Sequence, residues 1–436
     1  METTKIKQVY FKYLFAAFGS AMISSIYSIV DMAMVGQYQG PEGTAALAIV
    51  APVWNIIYSL GLMMGIGGSV IFSIARGEKN KQRANEFFTT ALIGTIILAL
   101  LSWFALWFFE DQMLYLFGAE ASLLPLAKAY LMPVKFVVPV FLFNQMLAAF
   151  LRNDNNPTLA TIAVLTGGIF NVFGDYFFVF TLDMGITGAG LATAMGAVIT
   201  LAVSLTHFRS SKNGLCLVKV TSLLTKMKRI VVTGFSTFFV DLAMGILTML
   251  FNRQIVKYLG TDALSVYGVI VNISTIVQCC GYSVGQAAQP IISYNFGAKN
   301  SVNIKATLKY AILTAIFFGI GWTALMYLCP NLLISIFMKP TVNILTIAPK
   351  IMQTYGLSFV LLPINIFSTY YFQSLMKAGT SLMISVLRGL VISGTLIYFL
   401  PLLFEANSIW LAMLFTEIIV MIIVVYFIRR YTKALN

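Results

Sequence analysis

The chain has 436 residues, of which 59% are hydrophobic and only 10% are charged, and its mean hydropathy is +0.88. A soluble domain carries about a quarter charged residues, so this composition excludes a soluble protein. The formal net charge of +13 would suit a nucleic-acid-binding protein. The basic residues instead follow a membrane topology, as described below, and no nucleic-acid partner is expected.

Long apolar runs follow one another along the whole chain. A helix needs about 20 mostly apolar residues to cross a bilayer, and these runs are continuous rather than alternating, which excludes membrane strands. We therefore predict an all-α integral membrane protein with twelve transmembrane helices. The predicted spans are residues 10–37, 44–72, 84–109, 122–150, 156–180, 186–209, 228–257, 261–292, 302–328, 343–376, 379–402 and 407–430.

Charges in the predicted loops indicate the orientation. If the N-terminus is cytoplasmic, 21 of the 28 basic residues fall on the cytoplasmic side. The opposite loops carry acids such as Glu42, Asp183 and Asp262. This positive-inside pattern predicts that both termini are cytoplasmic. The first apolar run is too long for a cleavable signal peptide and lacks a small-residue cleavage site, so a multi-pass protein of the cell membrane is expected.

The second half of the chain repeats the first. Residues 73–80 (SIARGEKN) return as 293–300 (SYNFGAKN), and residues 44–56 return as 261–273, at offsets of 220 and 217. Six spans per half make both halves start on the same side, which predicts parallel repeats related by a pseudo-two-fold axis along the membrane normal. An apolar chain built from two similar halves is typical of a transporter with its site between them.

The only long polar interruption on the cytoplasmic side lies at the midpoint of the chain. It predicts an N-terminal six-helix bundle at 1–209, a cytoplasmic linker at 210–227 and a C-terminal six-helix bundle at 228–436. The two bundles are expected to enclose a central cleft that opens alternately to either side.

Four acids fall inside predicted spans and away from their ends, where a carboxylate costs roughly 3 kcal/mol and is a functional candidate by default. Asn171 and Asp175 share one helix face because they are four residues apart, and Asp31 and Thr193 lie at a similar depth. Two carboxylates, an amide oxygen and a hydroxyl suit a hard cation such as sodium. Alternatively the two carboxylates share a proton, or Asn171 and Asp175 only join helices through hydrogen bonds. The four acids are Asp31, Asp175, Asp241 and Glu417.

The repeat strengthens the case for a dedicated ion site. The stretch that matches Asn171–Asp175 in the second half, GLVISGTLIYFL, has no acid or amide, and Asp31 corresponds to a position near Thr248. A group that the fold itself required would plausibly occur in both halves. An acid pair in one half is instead typical of a coupling-ion site.

Polar and flexible side chains in the other spans predict a substrate cleft. Amides and thioethers on the expected cleft walls would read and accommodate varied amphipathic cargo. Lys135 and Arg388 are cations inside predicted spans, and either could pair with Asp241 or Glu417. The residues predicted to line the cleft are Asp241, Asn272, Gln278, Gln286, Met32 and Met244.

Several motifs together resemble the multidrug and toxic compound extrusion (MATE) family, in the bacterial branch that includes the MepA-like and DinF-like exporters. The resemblance covers essentially all twelve spans. The matching motifs are VDMAMVG at 30–36, ARGEKN at 75–80, FLRNDNNP at 150–157, NVFGDYFF at 171–178, GITGAGLAT at 185–193, GQAAQPIISYNFGAKN at 285–300 and FQSLMKAG at 372–379.

The resemblance implies a secondary active transporter, not an enzyme, in the bacterial cytoplasmic membrane. It implies export of amphipathic, often cationic, compounds against an inward flow of sodium or protons, with a V-shaped pair of bundles and no cofactor besides the coupling ion. The family's first-lobe cation site falls on Asp31, Asn171, Asp175 and Thr193. A monomer is expected. Some relatives carry a helix 1 proline tied to proton-driven bending, and its absence here counts against coupling by that bend alone.

Two alternatives remain at this point. A lipid-linked oligosaccharide or polysaccharide flippase of the same superfamily would need a strongly cationic cleft for pyrophosphate, whereas these spans hold four acids against two cations. An intramembrane enzyme would use the segment RNDNN at 152–156, which is similar to the aspartate-rich motif of membrane prenyltransferases. That chemistry needs several carboxylates to hold magnesium, and only Asp154 is present.

Overall fold

The computed structural model of the protein describes residues 3–338 and 340–435, and within these ranges it is helical with no strand. The first half comprises α1 (Thr3–Gly77), α2 (Lys81–Phe108), α3 (Glu110–Leu116), α4 (Leu124–Lys135), α5 (Val138–Asn153), α6 (Pro157–Asp175) and α7 (Gly185–Leu205). The second half comprises α8 (Leu223–Gly297), α9 (Ser301–Leu328), α10 (Pro330–Phe337), α11 (Val342–Gly356), α12 (Leu362–Ser374), α13 (Ala378–Val386), α14 (Ile392–Leu403) and α15 (Ala412–Lys433).

Short segments of other helix types join these elements. One π-helical segment ends the span of α6, and another lies between α13 and α14. Of three 3₁₀ segments, one follows α7, one joins α11 to α12, and one precedes α15. The π segments are Tyr176–Thr181 and Leu387–Val391, and the 3₁₀ segments are Thr206–Arg209, Leu357–Val360 and Ala406–Leu411. Such π segments locally change which side chains face a neighbour and are frequent at functional sites.

The internal repeat is visible in the elements themselves. α1 and α8 each have 75 residues and each contains one non-helical glycine, Gly40 (φ 66°) and Gly260 (φ 82°). Both values lie in the left-handed region that glycine adopts without steric cost. α2 and α9 each have 28 residues and are capped by an asparagine side chain, Asn80 or Asn300, that accepts a backbone N–H three residues later.

The apolar helices account for twelve membrane spans within the described ranges. Nine stretches are long and apolar enough to cross a membrane, and α4 with α5, bent by 61°, form a tenth. A straight helix of 75 residues would be about 110 Å long, far more than a bilayer of about 30 Å, so α1 and α8 each supply two spans. The predicted fold class is confirmed.

Contacts divide the chain into two compact units. One is Phe15–Phe238, and the other combines the segment that ends at Leu14 with the chain from Phe239 onward. In this second unit Ile6, Tyr10 and Tyr13 are buried in one apolar cluster with side chains of α8, α9, α12 and α15. The bundle limits 1–209 and 228–436 stay a prediction.

The predicted linker is anchored to the first unit at several points. The backbone N–H of Cys216 donates to Asn85 Oδ1 (3.0 Å), and that of Val218 donates to Thr89 Oγ1 (3.1 Å). Lys226 at the start of α8 forms an ion pair with Glu86 at 2.9 Å. Two consecutive turns of α2 thus hold this irregular segment in place.

Candidate functional site

Close contact between α6 and α7 positions the predicted cation ligands. Gly167 on α6 faces Gly196 on α7, and a Cβ at Gly167 would lie 2.5 Å from the carbonyl oxygen of Gly196. Glycine at both positions therefore lets the two backbones approach more closely than larger residues allow. One turn farther along, Asn171 of α6 donates from Nδ2 to Thr193 Oγ1 of α7 at 3.1 Å.

A tyrosine connects this pair to the first helix. The Tyr130 hydroxyl on α4 donates to Asp31 Oδ2 at 3.0 Å and lies 3.4 Å from Thr193 Oγ1. Asp175, at the last position of α6, is near enough to Asp31 for the two carboxylates to interact electrostatically. All four predicted ligands, Asp31, Asn171, Asp175 and Thr193, are thus brought together, and Tyr130 links Asp31 to Thr193.

The oxygens of this cluster are buried and largely unpaired. Asp175 is fully buried, and Asp31 and Asn171 are 8% and 3% exposed. Among the described residues, Asp31 Oδ1, Asn171 Oδ1 and both carboxylate oxygens of Asp175 have no hydrogen-bond partner. Buried acceptors without donors are costly, and the ion pairs of the described residues include neither acid. The donor set fits a hard cation or a shared proton.

Tyr130 was missed by the sequence reasoning. It lies on a short helix ahead of the break between α4 and α5, and nothing in its local sequence distinguishes it from the other tyrosines. Gly190 of α7 packs directly against its backbone, since a Cβ at Gly190 would overlap the Tyr130 carbonyl oxygen. The glycine-rich motif at 185–193 was the available signal, because it marks a face of α7 that a neighbouring backbone approaches.

We expect Gly190→Ala to weaken both the protein and its site. The added methyl group must displace α4 and with it Tyr130, at a cost of about 1–3 kcal/mol for overpacking. The thermal unfolding midpoint of the purified protein should fall, and export of a dye should fall with it. Gly268→Ala is the control, because a Cβ there meets nothing within 4 Å. Equal midpoints for the two variants would contradict the packing described here.

The two cations inside the spans are each paired with an acid. Arg388 donates from Nε to Glu417 Oε1 at 2.9 Å, and Asn365 donates to Glu417 Oε2 at 2.6 Å. Lys135 is paired with Glu110 and lies over the ring of Trp107. Of the pairings left open by the sequence, Arg388 with Glu417 is therefore the one that forms, and Lys135 pairs with neither Asp241 nor Glu417.

A family model described as MatE matches residues 16–177 and 227–399, which is most of the chain. The chain belongs to the MatE family. Among curated proteins it is similar to the multidrug export protein MepA of Staphylococcus saprophyticus, with 23% identity over 396 residues, covering 89% of this chain and 85% of that protein. The MepA of Staphylococcus haemolyticus is 22% identical over 393 residues, covering 89% and 84%. The predicted family is confirmed.

Solved structures show the same fold. The outward-facing conformation of a multidrug resistance MATE family transporter matches with a TM-score of 0.92 at 20% identity, covering 99% of this chain and 96% of that one. A MATE structure in the bent conformation matches with a TM-score of 0.90 at 20% identity, covering 100% and 98%. At this identity the likeness concerns the fold alone.

The residues predicted for a substrate cleft do not all line one cavity of this MatE protein. Asp241 accepts a hydrogen bond from the Tyr282 hydroxyl at 3.4 Å, and the Asn272 amide donates to its own helix at Gly268 O. Met32 is 45% exposed and belongs to the first unit. Gln286 is half-buried. Only Met244 and Gln278 of the set line one cavity within the second unit, so the cleft as a whole stays a prediction.

The segment RNDNN of this MatE protein forms a structural cluster. Asp154 is fully buried, and its Oδ1 accepts from Arg76 Nη1 at 2.7 Å. Its Oδ2 accepts from the Gly214 N–H at 2.6 Å and lies 2.8 Å from His207 Nε2. Both oxygens are engaged by protein groups, so this carboxylate is not available as a magnesium ligand. The hypothesis of a prenyltransferase-like enzyme is therefore wrong, because it required Asp154 as a magnesium ligand.

Proposed function

We propose that this MatE protein is a cation-coupled antiporter that exports amphipathic, often cationic, compounds. The names of its relatives support export of drugs or metabolites. The observation that carries the coupling is the pair of buried acids Asp31 and Asp175, because three of their four carboxylate oxygens lack a hydrogen-bond partner among the described residues. The proposed setting is the bacterial cytoplasmic membrane, with a monomer whose termini both face the cytoplasm.

The proposed mechanism depends on the state of the acid pair. Asp31, Asn171, Asp175 and Thr193 would hold sodium, or the two carboxylates would hold a proton, and Tyr130 would keep Asp31 oriented through its hydroxyl. Occupancy neutralises charge that is costly inside a membrane. Export is then driven if the coupling ion and the cargo bind the inward-open and outward-open states with different affinities. Entry of the ion to the cytoplasm resets the cycle.

The flippase alternative is less well supported. A pyrophosphate headgroup requires uncompensated positive charge, and the two cations considered for the cleft, Lys135 and Arg388, have an acid as partner. Asp31, Asp175 and Asp241 form no ion pair within the part of the chain that the structure describes, and their negative charge inside the spans favours cationic cargo.

The test is efflux of a cationic dye from proteoliposomes under an imposed sodium gradient and, separately, under an imposed pH gradient. We expect one gradient to drive efflux and Asp31→Asn to abolish it. Sodium-driven efflux would identify the oxygen cluster as a sodium site, and efflux driven only by pH would identify a proton-sharing pair. Glu120→Gln is the control, since this acid is exposed. Efflux under neither gradient, or full activity of Asp31→Asn, would contradict the proposal.

A further inference from the structure

The second unit contains a partly open cavity to which the mechanism proposed above assigns no ligand. It offers about 60 Å³ to water-sized groups, which corresponds to a ligand group of about four or five non-hydrogen atoms. Its walls come from α8, α11, α12, α13 and α15 and from the π segment Leu387–Val391. The lining residues that matter here are Thr248, Gln278, Tyr355, Arg388, Gly389 and Glu417.

The repeat relates this cavity to the cation site of the first unit. In the structure α1 and α8 match at an offset of 220, so Asp31 corresponds to Phe251, which lines the cavity, rather than to Thr248. The starts of α6 and α13 match at an offset of 221, so Asn171 corresponds to Ile392 and Asp175 to Leu396, and neither of these lines the cavity. The second unit therefore has a cavity beside the counterpart of Asp31 but has lost both carboxylates and the amide.

A guanidinium group replaces the lost acids. Glu417 neutralises Arg388 through Nε alone, and Asn365 engages the second oxygen of Glu417. Glu417 is the only partner of Arg388 among the described residues, so the two terminal nitrogens of the guanidinium have no acceptor. These nitrogens form the planar fork that matches a carboxylate.

Gln278 adds a second unsatisfied group. Its side chain is only 6% exposed, lines the cavity and has no hydrogen-bond partner among the described residues. Asp241, the nearby acid without a cationic partner, is not part of the lining and accepts from Tyr282. The wall therefore presents uncommitted donors, and its one acid is already engaged.

We propose that this cavity binds a carboxylate-sized anion through Arg388 and Gln278. The second unit thus takes a group of opposite charge to the ion of the first unit. The anion is either a free carboxylate or the carboxylate of a zwitterionic cargo molecule. Binding of a free carboxylate does not depend on the export proposed above. Binding of a cargo carboxylate rests on that proposed function.

Binding is tested on the purified full-length protein by thermal unfolding in sodium acetate and, at equal ionic strength, in sodium chloride, whose single spherical ion does not match the planar guanidinium fork. Wild type should be stabilised by acetate over chloride. Gln278→Leu should raise the half-saturating acetate concentration about fivefold, as expected for one lost hydrogen bond. The double variant Arg388→Gln/Glu417→Gln, which leaves no unpaired charge, should abolish the effect. No difference between the salts, or an unchanged acetate response in both variants, would overturn the site.

The source of the anion is tested with two matched dyes, rhodamine 110, which has a free carboxylate, and rhodamine 123, its methyl ester. If cargo supplies the anion, Gln278→Leu should reduce export of rhodamine 110 about fivefold and leave rhodamine 123 nearly unchanged. Equal export of both dyes by this variant, with the acetate response of wild type present, would support a free carboxylate. Export of neither dye by wild type would contradict the proposed function and leave the acetate result standing.

Discussion

Asp175→Asn is expected to reduce gradient-driven dye export to the level of protein-free liposomes while the protein remains folded. Asp175 is fully buried, and neither of its oxygens has a partner among the described residues, so the carboxylate contributes no internal ion pair or hydrogen bond that the variant would break. A neutral amide in its place removes the charge that the coupling ion would balance. Because a buried unpaired carboxylate is costly, the thermal unfolding midpoint should equal or exceed that of wild type.

The matched control for this experiment is Asp183→Asn, the same change eight residues later. Asp183 is exposed and accepts from Tyr38, and its backbone has φ 54°, a conformation that asparagine tolerates. The Asp183→Asn variant should export dye at a rate close to that of wild type. A folded Asp175→Asn protein that still exports under a gradient would refute the assignment. A lowered midpoint would show that Asp175 stabilises the bundle instead.

Asp154→Ala is expected to destabilise the protein by about 3–5 kcal/mol, the range for breaking a buried ion pair by removing one partner. The change removes the carboxylate that contacts Arg76 and His207, leaves Arg76 with only the carbonyl oxygen of Asn153, and releases the N–H of Gly214. The loss of the hydrogen bond from the Gly214 N–H should also loosen the linker. We expect a shorter half-life of the folded protein in detergent and faster proteolytic cleavage within residues 210–222.

Glu78→Ala provides the comparison, because it also removes the acid of an ion pair near the end of α1. Its partner Arg83 lies 2.5 Å away, but both side chains are more than one-third exposed. An exposed pair contributes only about 0–1 kcal/mol, so this variant should behave almost like wild type. If Asp154→Ala unfolds no faster than Glu78→Ala, the buried cluster does not stabilise the first unit as described.

The sequence predicted those parts of the site that depend on local spacing. Asn171 and Asp175 share a helix face because of their four-residue separation, and the acid content of the spans identified Asp31. Long apolar runs likewise predicted the spans, since a bilayer requires a minimum length. Each of these inferences depends only on residue spacing along a single helix and on the position of that residue along the apolar run.

Pairings between distant segments could not be predicted. Arg388 and Glu417 are 29 residues apart and lie on different helices, and the sequence offered Asp241 as an equally reasonable partner. Tyr130 reaches Asp31 across 99 residues. Such contacts depend on how α4, α6 and α7 pack against α1, and a single sequence does not specify that packing. For the same reason RNDNN suggested a metal motif until its contacts with Arg76 and His207 were known.

The burial of Ile6, Tyr10, Tyr13 and Leu14 in the second unit has a consequence for biosynthesis. Ile6 and Tyr10 pack in a cluster whose other members extend to Val420 and Val424. At about 5–20 residues per second, the ribosome needs roughly 20–80 s to reach that end of the chain. The N-terminal segment must therefore leave the ribosome long before its partners exist, and the second unit completes its core only after synthesis ends. A gene encoding the second half alone would lack part of that core.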